Sequence, residues 1–350
     1  MKFLPAFLHF LTTSAMAPNI TRPNPAIPLT PPTLPPPGAS SNAQEIIKQL
    51  LSLTRSNIGS KLKLVKKIPL EGDVWEPEGL VRLAGSSPEE ERFWISAGEY
   101  TRPTIKYPDG WRDGSDRQNG AGFAHFLVFD GNGKRVGDWV VTEKGKGEYH
   151  NGGVEFDGRF IWGCLAEYRP GGTASVVKVD VERLEVEKVF RVGDHLGAVV
   201  RDGRRLVTLN WGGRRGRIWD LGKVERRDGQ VVMKDGEGGF DEPEEVVTNP
   251  SHWIDYQDCK FLGEWQGRSV MLCSGIATLG DGVEVGGLAF VDTRSLVPVW
   301  EVPFMRRTES GVLMTKNPMD VGVVDGRVRL WFAPEEGRGA VYVFEVGEGA

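Results

Sequence analysis

Cysteine and histidine are scarce, with 3 Cys and 5 His in 350 residues. A zinc site wants three close nitrogen or sulfur ligands, and only two of the histidines are candidates, so zinc is set aside. Basic excess is also missing: 43 Lys+Arg against 48 Asp+Glu give a net charge of −5. Nucleic acid as a bulk partner wants a basic surface and is excluded on that ground. Beyond the N-terminal region no apolar run is long enough to span a bilayer. No Gly-x-Ser-x-Gly elbow, phosphate loop or dinucleotide fingerprint occurs. Gly212-Gly213-Arg214-Arg215-Gly216 lies between strands and precedes no helix. What is abundant is glycine, 46 residues spread along the chain in turn-like pairs, together with 11 Trp. That composition points to a turn-rich, all-β protein.

The first 17 residues read as a secretory leader: Lys2, an apolar run from Phe3 to Leu11, and small residues at Ala15 and Ala17. Cleavage after Ala15 is an alternative, because Pro18 follows Ala17. The expected location is extracellular. Asn19-Ile20-Thr21 is a glycosylation sequon at Asn19, whereas Asn249-Pro250-Ser251 is excluded by its proline. Residues 18–41 read as a Pro-rich linker. Residues 42–54 carry Ile46, Ile47, Leu50, Leu51 and Leu53 at helical spacing. They form a short amphipathic helix expected to pack outside the domain that follows.

From residue 61 to 350 a unit recurs: a polar residue opens a strand, a Gly-containing turn follows, and a second strand ends in an aromatic or small cluster. The unit starts are Glu78, His150, His195, Asp258 and Asp320. Turns fall at Asp157-Gly158, Asp202-Gly203, Gln266-Gly267 and Asp325-Gly326, and two more strands follow each pair. Four short antiparallel strands per repeat make a β-propeller with five blades. A degenerate sixth in 222–252 is the alternative count. The last unit supplies three strands, so the orphan strand 62–70 is expected to complete it and close the ring.

In a propeller, residues opening the first strand and closing the second share one face. That places Glu78, His150, His195, Asp258 and Asp320 around a channel mouth, with Glu99, Glu167, Asn210, Tyr100, Tyr168 and Trp211 just outside. Oxygen donors from Glu78, Asp258 and Asp320, with Asn210, suit a hard cation such as Ca²⁺. His150 and His195 are candidates for acid and base on a lactone or ester carbonyl. Each residue also has a structural reading, as a strand-start hydrogen-bonding group or a product of duplication. Glu99, Glu167, Tyr100, Tyr168, Asn210 and Trp211 equally suit a small-molecule or glycan ligand held by a non-catalytic module. Cys259 and Cys273 fall opposite each other across one hairpin, which allows a disulfide or two buried small side chains. The protein is expected to act as a monomer.

Pro77-Glu78-Gly79 at the opening of an inner strand resembles the start of gluconolactonase and strictosidine-synthase-like propellers. That resemblance implies Glu78 as a ligand of a top-face Ca²⁺-type site and, in several members, hydrolysis of lactones or esters. It covers three residues, and those families have six blades. The chain as a whole looks like an uncharacterised group of secreted fungal propeller proteins, which implies no reaction.

Overall fold

The computed structural model describes residues 19–347, apart from 143–145, 224, 228, 229 and 233–238. The expected leader, residues 1–17, lies outside the described residues. Five antiparallel sheets form a five-bladed β-propeller. Blade one is Glu76–Leu83, Arg92–Arg102, Ala121–Asp130 and Arg135–Val140. Blade two opens with a broken inner strand, His150–Asn151 and Glu155–Phe156, and continues through Phe160–Ala166, Ala174–Asp180 and Glu185–Val192. Blade three is Leu196–Asp202, Arg205–Asn210, Arg215–Asp220 and Glu245–Thr248. Blade four is Asp255–Trp265, Arg268–Thr278, Glu284–Asp292 and Pro298–Pro303. Met319–Val324, Arg327–Phe332 and Ala340–Val346 begin blade five.

The strand Leu62–Pro69 supplies the missing outer strand of blade five, pairing Leu62 with Val346 and Pro69 with Ala340. First and last segments of the domain thus share one sheet, as the three-strand final unit requires. The sixth-blade alternative fails for a local reason. Within 222–252, Glu245–Thr248 is the outer strand of blade three, and Glu225–Arg227 with Gln230–Val232 forms a separate two-stranded ribbon.

Alternation along each strand gives both faces of every sheet an apolar set, and the five blade interfaces hold five main core clusters. Phe93, Ile95, Leu127 and Trp331 fill the space between blades one and five. Val81, Trp94, Phe126, Phe156 and Ile161 do so between blades one and two. The turn positions explain the glycines. Asp325 and Gly326 have φ of 52° and 77°, and Gln266 and Gly267 have 49° and 73°. Two successive positive values give the primed hairpin turn that suits strand twist.

Inner strands pair on one side only, so their channel-facing N–H groups need other acceptors. Carboxylates from neighbouring blades provide them. Asp258 Oδ2 accepts the Leu80 and Met319 N–H groups, both at 3.1 Å. Asp320 Oδ2 accepts Arg82 N–H at 2.6 Å, and Glu155 Oε2 accepts Phe261 N–H at 2.7 Å. Lys260 Nζ donates to Asp258 Oδ1 at 2.7 Å and to the Val154 carbonyl at 2.6 Å.

Residues 19–41, although poor in apolar runs, are laid along the propeller rather than strung as a spacer. Ile20–Thr21 adds a fifth strand to blade one. Trp94 Nε1 donates to the Leu29 carbonyl at 3.0 Å, and Leu29 is buried in the interface of blades one and two. The proline-fixed backbone presents its carbonyls to these donors. The helix Ala43–Leu51 then buries Ile46, Ile47 and Leu50 against blades four and five. Its Gln49 bonds the Gly326 carbonyl and the Val328 N–H at 2.9 Å each, at the turn end of the sheet. The helix therefore covers the face opposite the mouth. Among the described residues no helix is long and apolar enough to cross a membrane.

Candidate active site at the channel mouth

The upper mouth holds a cavity of about 190 Å³ whose lining includes Glu76, Glu78, His150, Tyr168, His195 and Trp211. Each comes from the start of an inner strand or the end of a second strand, where the propeller converges. The inner strand of blade one carries a β-bulge between Pro77 and Gly79, with Glu78 as the extra residue, and both Glu76 and Glu78 reach the mouth. Gly79 permits the approach of the next blade: a Cβ there would lie 2.7 Å from Val154 N and 2.9 Å from Gly153 Cα.

Tyrosines organise the first carboxylate. Tyr168 Oη donates to Glu76 Oε1 at 3.0 Å, and Tyr100 Oη donates to Glu76 Oε2. The two phenol rings stack at 5.0 Å with 4° between planes. His150 stacks on Tyr168 at 4.5 Å and lies 5.1 Å from His195, centroid to centroid. Tyr100 Oη is 3.2 Å from His150 Nδ1. His195 Nδ1–H donates to the Glu167 carbonyl at 2.8 Å, which leaves the Nε2 lone pair uncommitted. Trp211 meets His195 edge-on at 4.7 Å, and the Arg117 guanidinium covers the indole at 4.7 Å.

Burial sets the charges here. Glu78 is 6% exposed and has no hydrogen-bond partner among the described residues. Desolvation, then the Glu76 charge, pushes its carboxyl well above the usual range. Desolvation also raises Glu76. The same loss of water pushes His150 well below its ordinary value and His195 down to about 4. Both imidazoles are therefore neutral at pH 7, the form that binds a metal or accepts a proton. Ligand atoms of Glu76, Glu78 and His150 all lie within 4.8 Å of one another.

A family of unknown function (DUF6454) matches residues 34–346. The chain belongs to that family. No curated protein matches it. Among solved structures it is similar to a Myxococcus xanthus glutaminyl cyclase, at 12% identity over 82% of this chain and 97% of that one, TM-score 0.43. A GH43 β-xylosidase/α-arabinofuranosidase from a compost metagenome is 9% identical over 83% and 96%, TM-score 0.41. A Trypanosoma rangeli sialidase is 14% identical over 77% and 44%, TM-score 0.37. Likeness at this level carries no reaction to this chain, and the site has to be read from its own groups.

Of the residues expected at the mouth, Glu78, His150, His195, Tyr100, Tyr168 and Trp211 do come together. Asp258 and Asp320 lie further along the channel wall, their oxygens engaged by backbone amides and, for Asp258, by Lys260. Asn210 is turned into its own blade, giving Nδ2–H to Asp194 at 3.3 Å and accepting Arg215 N–H at 2.7 Å. Glu99 faces His125 Nε2 at 3.2 Å, and His125 Nδ1 in turn faces Asp138 at 2.7 Å. Glu167 forms an ion pair with Arg169 at 2.7 Å and reaches the mouth only through its backbone carbonyl. These polar side chains found partners within reach and satisfied them there. Asn19 is exposed, its carbonyl held by Val140 N–H at 3.1 Å.

Glu76, Lys316 and Asn317 line the mouth without having been expected there. The β-bulge at Glu78 breaks the two-residue alternation that would otherwise have pointed to Glu76. Lys316 and Asn317 sit in a long loop before blade five, where spacing carries little information. A larger cavity of about 670 Å³ lies on the flank of blade two. Its central Glu148 is spent on Thr173, Ser175 and Arg191, which makes it the weaker candidate. Cys259 and Cys273 are register partners and form a disulfide, while Cys164 is free and buried.

Proposed function

We propose that the mouth is a cation-assisted hydrolytic site for a small lactone or ester. The observation that carries this reading is the grouping of Glu76, Glu78 and His150 within 4.8 Å, with Glu78 buried and unpaired. Two adjacent desolvated carboxylates repel each other, and a cation between them removes that cost. An all-oxygen donor set favoured Ca²⁺. With one imidazole beside two carboxylates, Mn²⁺ suits the donor set better than Ca²⁺, and Zn²⁺ still lacks the nitrogen or sulfur ligands it usually takes.

When bound, the cation neutralises the carboxylate pair and acidifies water at the site. His195 Nε2 receives the proton as the water oxygen bonds to the carbonyl carbon and the carbonyl π pair moves onto oxygen. As that pair returns, the ring or ester C–O bond breaks, and the alkoxide takes the proton back from His195. Tyr100 and Tyr168 fix Glu76 through both its oxygens, which holds one carboxylate in place for the cation.

The alternative of a non-catalytic glycan-binding module has less support. Tyr100 and His150 both stack on Tyr168, Trp211 lies 5.4 Å from the same ring, and Arg117 covers Trp211. Little aromatic surface is left for a sugar ring. Calorimetric titration with Zn²⁺, Mn²⁺ and Ca²⁺, then a screen of lactones and esters, tests the proposal. One equivalent of cation and turnover that falls at least 100-fold in E78Q are expected. No binding of any of the three, with turnover unchanged in E78Q, would overturn it.

A further inference from the structure

Inner strands of three blades carry a β-bulge at the same height, where they open onto the mouth. The register shifts between Pro77 and Gly79 in blade one, between Leu196 and Ala198 in blade three, and between Tyr256 and Asp258 in blade four. The extra residues are Glu78, Gly197 and Gln257, and all three line the mouth cavity. Bulges recur beside active sites because they re-aim a side chain out of the ladder. Blade three uses this device on a residue that has no side chain. Glycine within a strand costs stability relative to alanine, so its presence there calls for a reason.

The backbone does not supply that reason. Gly197 is not left-handed, and a Cβ built on it would meet no described atom outside its chain neighbours closer than 3.7 Å, an ordinary contact. Gly152 is the contrast: its Cβ would lie 2.4 Å from the Gly197 carbonyl, so the close approach of the two blades demands glycine at 152 and not at 197. The atoms that a Cβ at 197 would touch are the Asn210 carbonyl oxygen and His195 Nε2, each at 3.7 Å. His195 Nε2 is the uncommitted nitrogen, since Nδ1–H is given to the Glu167 carbonyl. The missing side chain thus leaves open the space beside that lone pair.

We propose that the space above Gly197 receives the acyl group of the ligand together with the water whose proton His195 takes. Residue 197 is then the specificity determinant of the mouth, and the class it admits is small, unhindered acyl compounds that fit a cavity of about 190 Å³. The inference rests on the hydrolytic reading for the part played by His195. A methyl group at 197 would stand in van der Waals contact with Nε2 and fill that space without straining the backbone. In G197A the strand gains the stability that alanine brings, the groups proposed to hold the cation are unchanged, and access to Nε2 is lost.

Diethyl pyrocarbonate, a small acyl compound that reacts with neutral imidazole, is the probe, applied to the full chain. His195 Nε2 attacks one carbonyl carbon, the new N–C bond replaces an anhydride C–O bond, ethyl carbonate leaves, and the Nδ1 proton passes to water. Peptide mass mapping reads the rate at His195 against the rate at His252, which is exposed. Labelling of His195 in wild type is expected, falling about 10-fold or more in G197A, with a urea midpoint at or above that of wild type. A wild type labelled at His252 and not at His195 would overturn the inference, as would a smaller change in G197A. A G197A that unfolds, or has a lower midpoint, would overturn it too, because glycine would then be serving the fold. The test involves neither cation nor turnover. Failure of the hydrolytic reading appears in the calorimetry and the substrate screen, and failure of this one appears in the label at residue 195.

Discussion

Replacing Asp258 with asparagine separates a ligand at the mouth from a rivet in the channel wall. The side chain is fully buried, and its Oδ2 caps N–H groups from blades one and five. Its Oδ1 balances Lys260, itself 2% exposed. In D258N the remaining oxygen still accepts both N–H groups, but the new amide sets a donor against the Lys260 ammonium. Removing one partner of a buried pair costs about 3–5 kcal/mol, because the other charge stays buried. That is a large share of the roughly 5–15 kcal/mol by which a folded domain is stable. Urea unfolding, with midpoints compared at equal m-values, reads the loss. Adding K260M to D258N removes the stranded charge and is expected to restore at least about 2 kcal/mol. Cation titration at the mouth should be unaffected in D258N. A loss under about 0.5 kcal/mol in D258N, or no recovery in the double variant, would refute the argument.

Other consequences follow from the same groups. His195 is depressed from 6.5 to about 4 by burial, so the fold binds its proton less readily than the unfolded chain does. Its contribution is complete above pH 6.5 and is lost as pH falls toward 4. By linkage, wild type should lose about 2 kcal/mol relative to H195N between pH 7.5 and 5 in urea unfolding, and parallel curves would count against it. Glu78 has the opposite sign: its raised carboxyl makes the ionised form costly to the fold. In chelator, E78Q should melt above wild type at pH 8, with the gap closing toward pH 4.5, and an E78Q that melts lower at pH 8 would contradict this. Leu50 is fully buried where the N-terminal helix meets blades four and five, so L50A should cost about 2–5 kcal/mol in chemical denaturation. A change within about 0.5 kcal/mol would mean that the helix is not part of the cooperative unit.

The blades were legible because their signals are local and repeated. Hairpin turns need particular residues, and five polar strand-starts recur with five second strands. The closing strand 62–70 followed from counting, and Cys259 opposite Cys273 from the hairpin register. Direction was harder to read. Asn210, Glu99 and Glu167 stand at the right height on their blades, yet each turns to a nearer partner: Asp194, His125 and Arg169. Asp258 and Asp320 open inner strands as expected, but unpaired amides of adjacent blades claim their oxygens first. No periodicity announces that competition, since the amides belong to residues far away in sequence. The same holds for 19–41, where carbonyls of a proline-rich segment are bound by Arg92 and Trp94 rather than by any apolar face of its own.

The central claim is that Glu76, Glu78 and His150 together hold a cation above the channel. Anomalous diffraction from crystals grown with Mn²⁺ tests it most directly. One anomalous peak bounded by those three side chains in wild type, and none there in E78Q, is the predicted result. A mouth without a peak, or a peak that persists unchanged in E78Q, would contradict it.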